Sequence, residues 1–223
     1  MQEVKLPESG IVPVFPLPNA VLFPQTVLPL HIFEPRYRAM VRDAAAADGM
    51  IAVALLKPGF EQDYAGGPPI HTLATIGRIE QLVRLPDGRS NLNLVGLVRV
   101  ELSEVPSTKP YRQARFTPRP EAPVDESDPD VRRAKLELLA SQGYLMREIT
   151  DDAGTSIPML EDLPYPCAVN GSCANLPSSP EVRQELLALD DLRARHRRVS
   201  ELINAVLERV LELKEGAHGH GAN

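Results

Sequence analysis

The chain has 223 residues, of which 43% are hydrophobic, so it can form one large domain or two small ones around a buried core. Its formal net charge of −6 argues against a general affinity for nucleic acids or anionic membranes. No uninterrupted apolar segment reaches the roughly 18 residues that suggest a membrane span, and the start has no signal-peptide pattern. We therefore expect a cytoplasmic globular protein.

Prolines interrupt the first apolar stretch of the chain, PVFPLPNAVLFPQTVLPLHIFEPRYRAMV, at residues 13–41. Proline fixes φ, lacks an N–H and pushes the preceding residue toward extended geometry. The stretch therefore predicts short edge strands joined by corners and wrapped around a small barrel. A helix follows from Glu34-Pro35, because proline suits the first helical turn, and Asp48-Gly49 closes it.

The next segments predict further strands. MIAVALL at 50–56 is a short apolar run that is typical of a strand covered on both faces, and a Gly- and Pro-rich loop follows at 57–70. Residues 71–85 and 90–102 are joined by Pro86-Asp87-Gly88, which predicts a hairpin, and residues 111–116 form one more strand. In the return strand Gly96 marks a bend or bulge. The side chains expected on one face of that strand are Leu92, Leu94, Val98, Val100 and Leu102.

The second half of the chain changes to helical patterns after a Pro- and Asp-rich linker at 118–130. Asp128 is expected to cap a helix that starts at Pro129, and a short helix is expected near 166–176. A long helical run from Ser179-Pro180 to Gly216 should break near Asp190-Asp191. The apolar stripe of the first helix comprises Val131, Leu138, Leu139, Leu145, Met146 and Ile149. We thus expect a β-rich subdomain at 1–117 with one crossover helix, a helical subdomain at 131–215 and a disordered tail at 216–223.

Two features could carry chemistry or nucleic-acid binding, and each has a simpler structural explanation. Cys167 and Cys173 could act as nucleophiles with His196 or His31, but thiols flanked by Ala, Val and Pro are more often small buried hydrophobic residues. The basic run DDLRARHRR at 190–198 could bind RNA, but i,i+4 pairs of Asp191 with Arg195 and of Arg197 with Glu201 favour a solvated helix face. His31 is expected at a rim or in the core, and His218 and His220 make only a weak adventitious metal site.

Three segments carry a family resemblance: the proline-broken stretch at 13–41, TIGRIEQLVRLPDG at 75–88 and LVGLVRVEL at 94–102. Together they resemble the N-terminal substrate-binding domain of Lon proteases, which also occurs in stand-alone bacterial proteins. The resemblance covers roughly residues 11–213 and implies an α+β fold, with a PUA-like β pseudo-barrel followed by an α-helical bundle. The ATPase module of Lon proteases is not expected here, because the phosphate-loop pattern G-x-x-x-x-G-K-[ST] is absent from the sequence, and the peptidase module is not expected, because no domain resembling the one that carries the Ser-Lys pair is found.

We therefore expect a non-catalytic module that binds unfolded or partly unfolded polypeptides, with a separate protease as a further partner. We expect no catalytic residue, no metal and no cofactor. The candidate peptide-binding residues are Phe23, Phe33, Arg36 and Tyr37, which combine aromatic contact with a fixed cation. The alternative that the resemblance leaves open is a PUA-like protein that binds RNA or a small ligand, although the low aromatic content of 4% argues against a single-strand binder.

Overall fold

The computed structural model describes residues 5–63, 67–150 and 162–219. The chain divides into two compact units. The barrel unit comprises Met1–Glu121 together with Ser179–Ala188, and the helical unit comprises Ala122–Ser178 together with Leu189–Asn223. No helix within the described ranges is both long enough and apolar enough to cross a membrane.

Six strands form the sheet of the barrel unit, in the order β2-β5-β4-β3-β1-β6. β6 also pairs with β5, so five of the strands close into a barrel and β2 is left outside it, paired with β5. Among the described strands, β1 and β3 form the one parallel pair, and α1 follows β2 on the way to β3. The strands are β1 Ile11–Leu17, β2 Val27–Ile32, β3 Met50–Leu55, β4 Leu73–Arg84, β5 Ser90–Val105 and β6 Arg112–Pro118. The helices are α1 Pro35–Ala45, α2 Pro129–Thr150, α3 Tyr165–Ala174, α4 Pro180–Ala188 and α5 Leu192–Gly219. This architecture confirms the predicted α+β class.

Apolar clusters cover both faces of β3. Ile51 and Val53 pack in one cluster with Tyr37 and Met40 of α1, and Ala52 and Ala54 pack in the other cluster. All six residues of β3 are buried, which confirms the strand predicted from the run at 50–56. The small alanine side chains on one face and the larger Ile and Val on the other fit β3 between the two layers.

The predicted single apolar face of β5 is wrong, because the strand changes its orientation at Gly96. Leu92 and Leu94 belong to the cluster that contains α1, whereas Val100 and Leu102 belong to the other cluster. The cause lies in the pairing with β4, where Ile76 pairs with Val98 but Gly77 pairs with Gly96. One extra residue in β5 makes a β-bulge, and because side chains alternate along a strand, the insertion transfers every following side chain to the opposite face.

The barrel unit also includes α4, which comes from the helical half of the sequence. The buried Arg99 of β5 donates from Nη1 to the carbonyl oxygen of Leu187 at 2.9 Å. Gln184 donates to the carbonyl oxygen of Leu73, also at 2.9 Å. These bonds hold one short helix to the barrel, and the predicted break near Asp190-Asp191 falls between the end of α4 and the start of α5.

In the helical unit Asp128 accepts a hydrogen bond from the backbone N–H of Asp130 at 2.9 Å, so the predicted cap of α2 is confirmed. The predicted stripe of α2 is partly wrong, because Met146 and Ile149 are exposed while the rest of the stripe is buried or half-buried. Met146 is one residue from the buried Leu145, and one residue turns a helix by about 100°. α5 continues to Gly219, beyond the predicted end at Gly216, and the remainder of the predicted tail lies outside the described residues.

Candidate functional site

The corner between β2 and α1 is formed by Glu34 and Pro35. Glu34 has extended backbone angles at the N-cap position, and Pro35 starts the helix with its fixed φ. The Glu34 carboxylate makes no capping hydrogen bond and instead accepts from Arg36 Nε at 2.9 Å. The Arg36 guanidinium lies 4.6 Å from the ring centroid of Tyr37, so a carboxylate and an aromatic ring together fix the position of its donors.

The four predicted peptide-binding residues divide between the surface and the core. Phe33 is 59% exposed and stacks on His31, with the ring centroids 6.1 Å apart. Arg36 is half-buried, and Tyr37 is only 5% exposed, with its ring against that of Phe15. Phe23 is 0% exposed and is therefore a core residue, contrary to its expected place in a groove. Arg36 and Tyr37 are thus in contact, Phe33 is exposed on the surface nearby in the sequence, and Phe23 is buried.

A cleft of about 340 Å³ opens beside the start of α1, and we call it the α1 cleft. Arg36 and Tyr37 line it together with residues that the sequence did not indicate. The missed residues are Glu104, Lys109, Tyr111 and Arg112. The cluster of basic and aromatic residues in KPYR at 109–112 is a signal that could have pointed to them, but nothing local relates this segment to α1.

Opposite charges are paired around the α1 cleft. Lys109 Nζ and the hydroxyl of Tyr111 both donate to Asp43 Oδ2 at 2.9 Å. The hydrogen bond from Lys109, followed by that from Tyr111, lowers the pKa of Asp43 to about 2. Burial, followed by the hydrogen bond to Asp43, raises the pKa of Tyr111 to about 12. Arg112 pairs with both carboxylate oxygens of Glu104, so the cleft offers aromatic walls and balanced charge.

A second surface lies on the side of β2 that carries Val27, Pro29 and His31, and we call these residues with Phe33 the β2 outer face. All four are exposed. His31 Nδ1 donates to Asn91 Oδ1 of β5 at 2.6 Å. On the neighbouring strands, Asn93 of β5 donates to Gln81 of β4 at 2.7 Å. A shallow cavity of about 460 Å³ lies over this part of the sheet, lined by Pro29, His31, Gln81 and Val83 among others.

Of the cysteine and histidine candidates, Cys167, Cys173 and His196 occupy structural positions. Cys173 is buried and Cys167 is half-buried. The ring of His196 stacks on that of Tyr165, with centroids 5.6 Å apart, and burial lowers the pKa of His196. Within the described residues no group of three or more His, Cys, Asp or Glu side chains is placed to hold a metal ion.

The basic run at 190–198 matches the predicted solvated face at Arg193, Arg197 and Arg198, which are exposed, but not at Arg195. Arg195 is fully buried and donates to Asn170 Oδ1 and to the carbonyl oxygen of Leu189, each at 2.6 Å. Arg198, and not Arg197, pairs with Glu201 at 3.0 Å. The prediction for Arg195 is wrong because this residue lies on the buried face of α5, where its guanidinium donates to Asn170, 25 residues away in the chain.

Comparison with known proteins gives a consistent result over most of the chain. The family model of the ATP-dependent protease La (LON) substrate-binding domain matches residues 11–205. The Lon protease of Parabacteroides distasonis is 30% identical over 213 residues, which are 91% of this chain and 24% of that protein. Lon protease 2 of Herpetosiphon aurantiacus is 31% identical over 217 residues, which are 96% of this chain and 26% of that protein. The chain therefore spans about a quarter of the length of these relatives.

Solved structures show the same fold. The N-terminal domain of a Mycobacterium avium complex Lon protease superposes with a TM-score of 0.62 at 20% identity, covering 87% of this chain and 98% of that one. A Lon N-terminal domain protein from Xanthomonas campestris superposes with a TM-score of 0.54 at 23% identity, covering 87% and 97% of the two chains.

Proposed function

Because the chain belongs to the family of the ATP-dependent protease La (LON) substrate-binding domain, we propose that it binds unfolded or partly unfolded segments of polypeptide without catalysing a reaction on them. The observation that carries this proposal is the family match over residues 11–205. Any ATP-dependent or proteolytic step of a Lon protease belongs, in this proposal, to parts of the relatives outside the quarter of their length that this chain matches.

The surface that we propose for binding is the corner of Phe33 and Arg36 with the adjoining α1 cleft. Phe33 supplies an exposed aromatic side chain at the point where the chain turns from β2 into α1. Arg36 supplies guanidinium donors that Glu34 and Tyr37 hold in place, so little side-chain entropy is lost when it donates to a peptide carbonyl or carboxylate. Phe23 does not enter the proposal, because it has no exposed surface.

The affinity for such segments should be modest. An unfolded segment loses conformational freedom when it binds, and a surface that accepts many sequences gains little from any one of them. We expect dissociation constants in the micromolar range, about −8 kcal/mol or weaker. In this proposal the chain works in the cytoplasm, where Cys167 and Cys173 remain thiols, and it passes the captured segment to a separate protease.

The test is a fluorescence titration with reduced, carboxamidomethylated α-lactalbumin, a permanently unfolded protein. Phe33→Ala should weaken binding about five- to tenfold, a loss of about 1–1.4 kcal/mol, which is that of a significant interface contact. Leu213→Ala is the matched control, because it removes another exposed apolar side chain, 65% exposed, from the helical unit. Phe23 and Tyr37 are unsuitable for this test, since truncation of a buried side chain changes folding as well as binding.

Two results would contradict the proposal. The first is that the wild-type protein shows no binding at high micromolar concentrations of unfolded α-lactalbumin. The second is that Phe33→Ala, with its fold confirmed by a thermal melt, binds as tightly as the Leu213→Ala control.

A further inference from the structure

β2 is an edge strand of the sheet in the part of the chain that the structure describes. It pairs with β5 on one side, and the strand order places no described strand on the other. Val27, Pro29 and His31 are exposed along its length, with Val27 at 56%. An exposed strand edge presents backbone N–H and C=O groups that another chain can pair with.

The hydrogen bonding at the start of β2 determines which backbone groups point away from β5. The N–H of Gly96 donates to the carbonyl oxygen of Thr26 at 2.9 Å, so position 26 faces β5. In an antiparallel pair the positions that face the partner alternate with those that face away. The backbone groups of Leu28, Leu30 and Ile32 therefore face β5, and those of positions 27, 29 and 31 face the free edge.

Pro29 occupies the middle outward-facing position, where its missing N–H costs no bond to β5. The free edge thus presents an N–H and a C=O at Val27, a C=O alone at Pro29, and an N–H and a C=O at His31. An antiparallel strand laid along this edge can form five hydrogen bonds, two at each end and one at the centre. A donor is missing only at the centre.

We propose that the free edge of β2 takes up an extended, apolar segment of an unfolded polypeptide as an added strand. This inference rests on the proposed function and specifies both the binding mode and the class of segment. Side chains of the added strand alternate between two surfaces. One set lies beside Val27, His31 and Phe33, and the other lies beside the half-buried Leu28 and Leu30.

The short length of β2 and the position of Pro29 favour an unfolded segment over a second copy of this chain as the occupant. β2 has six residues, a length of about 20 Å, so pairing two copies through it buries on the order of 400 Å² in total. A stable protein interface buries at least about 1,200 Å². A twofold pair centred on Pro29 also places two prolines opposite each other, and neither has a donor for the other. A foreign segment with an N–H opposite Pro29 can donate to the Pro29 carbonyl, so it lacks only the bond from the missing proline donor. Binding of such a segment also requires only micromolar affinity, which a small contact area can provide.

The substrate class follows from these contacts. The segment must be extended, must have free N–H groups at alternate positions and must carry apolar side chains beside Val27 and Phe33. Such segments form buried strands in folded proteins and become accessible when those proteins unfold. The inferred target is therefore a β-forming apolar segment that folding normally hides.

The experiment uses a fluorescein-labelled peptide of nine residues, in which valine alternates with threonine or lysine, and two N-methylated versions of it. Methylation of one alternate set of amides should abolish binding, and methylation of the other set should leave it within about twofold, because only one set faces β2. Pro29→Val restores the missing donor and should bind the unmethylated peptide three- to tenfold more tightly. Val27→Pro removes an outward donor without changing the bonds to β5 and should bind it three- to tenfold more weakly.

Each titration is run at a concentration at which sedimentation shows a monomer, with Leu213→Ala as the control and thermal melts as the check on folding. The edge proposal is overturned if both methylated peptides bind alike, or if folded Pro29→Val and Val27→Pro bind like wild type. If unfolded α-lactalbumin still binds under those conditions, the proposed function stands without the edge. If the wild type binds neither the peptide nor unfolded α-lactalbumin, both the edge proposal and the proposed function are wrong. A Pro29→Val variant that does not fold leaves the methylated peptides and Val27→Pro to decide.

Discussion

Phe23 and Phe33 lie ten residues apart in the same proline-broken stretch, yet one is fully buried and the other is 59% exposed. Phe23 begins a tight turn, and its carbonyl oxygen accepts a hydrogen bond from the hydroxyl of Thr26 at 2.8 Å. That turn packs against the bulge of β5, since the N–H of Gly96 bonds to Thr26. Phe33 instead precedes the Glu34-Pro35 corner, where the chain leaves the sheet. Position relative to the bulge, and not residue type, therefore decides which phenylalanine is buried in the core and which is exposed at the surface.

The largest difference between the two regions is expected in the free energy of unfolding. Phe23→Ala should cost about 3–5 kcal/mol, because it leaves a cavity in the core. Phe33→Ala should stay within about 0.5 kcal/mol of wild type, because the side chain is mostly in solvent. Urea denaturation of both variants measures the difference. Equal losses of stability in the two variants would mean that Phe33 also belongs to the core.

A second prediction concerns the contact that buries Phe23. A Cβ atom built on Gly96 would lie 2.0 Å from the carbonyl oxygen of Phe23, so Gly96→Ala should displace the turn and cost about 1–3 kcal/mol. Gly171 in α3 is the matched control, since a Cβ there meets nothing within 4 Å. Gly171→Ala should stabilise the protein by about 0.5–1 kcal/mol through helix propensity. The same Gly→Ala substitution should therefore lower stability at position 96 and raise it at position 171. Melting temperatures that shift in the same direction for the two variants would contradict this prediction.

The sequence predicts the parts of this fold that local chemistry controls. β3, the hairpin at Pro86-Asp87-Gly88, the start of α1 and the break between α4 and α5 all follow from turn residues and apolar periodicity. The parts that it does not predict depend on distant pairing. The change of face in β5 comes from one inserted residue that is visible only against β4. The place of α4 on the barrel depends on Arg99 and Leu187, which are 88 residues apart.

The same limit applies to the candidate site. The sequence correctly places Arg36 beside the start of α1, since helix-start signals are local. It cannot separate Phe33 from Phe23, because both are aromatic residues in equally apolar surroundings. It also misses Lys109 and Tyr111, which reach Asp43 across more than 60 residues of chain. Burial and long-range contacts therefore decide the site residues, and a single sequence contains neither.

Tyr111 extends the comparison to a third aromatic residue, one that is buried like Phe23 but has a polar group at its tip. Its hydroxyl donates to Asp43, and this bond, after that of Lys109, holds the pKa of Asp43 at about 2, below the ordinary value of 3.8. A carboxyl whose pKa is lowered on folding stabilises the protein above its unfolded-state pKa, and the stabilisation is lost as the pH falls through the folded-state value. The contribution of Asp43 should therefore be complete above about pH 4 and should decline between pH 4 and pH 2.

The smallest of the three predicted changes in stability is that of Asp43→Asn, and it depends on pH. Asp43→Asn should be less stable than wild type near neutral pH, and the gap should narrow as the pH falls from 4 to 2, because wild type loses the ionised carboxylate there and the variant never has it. The carboxylate is near the surface, so this gap should be smaller than that produced by Gly96→Ala. Urea denaturation at pH 7, 4, 3 and 2 measures it, and Tyr111→Phe is the companion variant, since it removes one donor to Asp43 and should raise the carboxyl pKa in an NMR titration. If the difference in unfolding free energy between wild type and Asp43→Asn stays constant from pH 7 to pH 2, the hydrogen bonds of Lys109 and Tyr111 do not lower the pKa of Asp43.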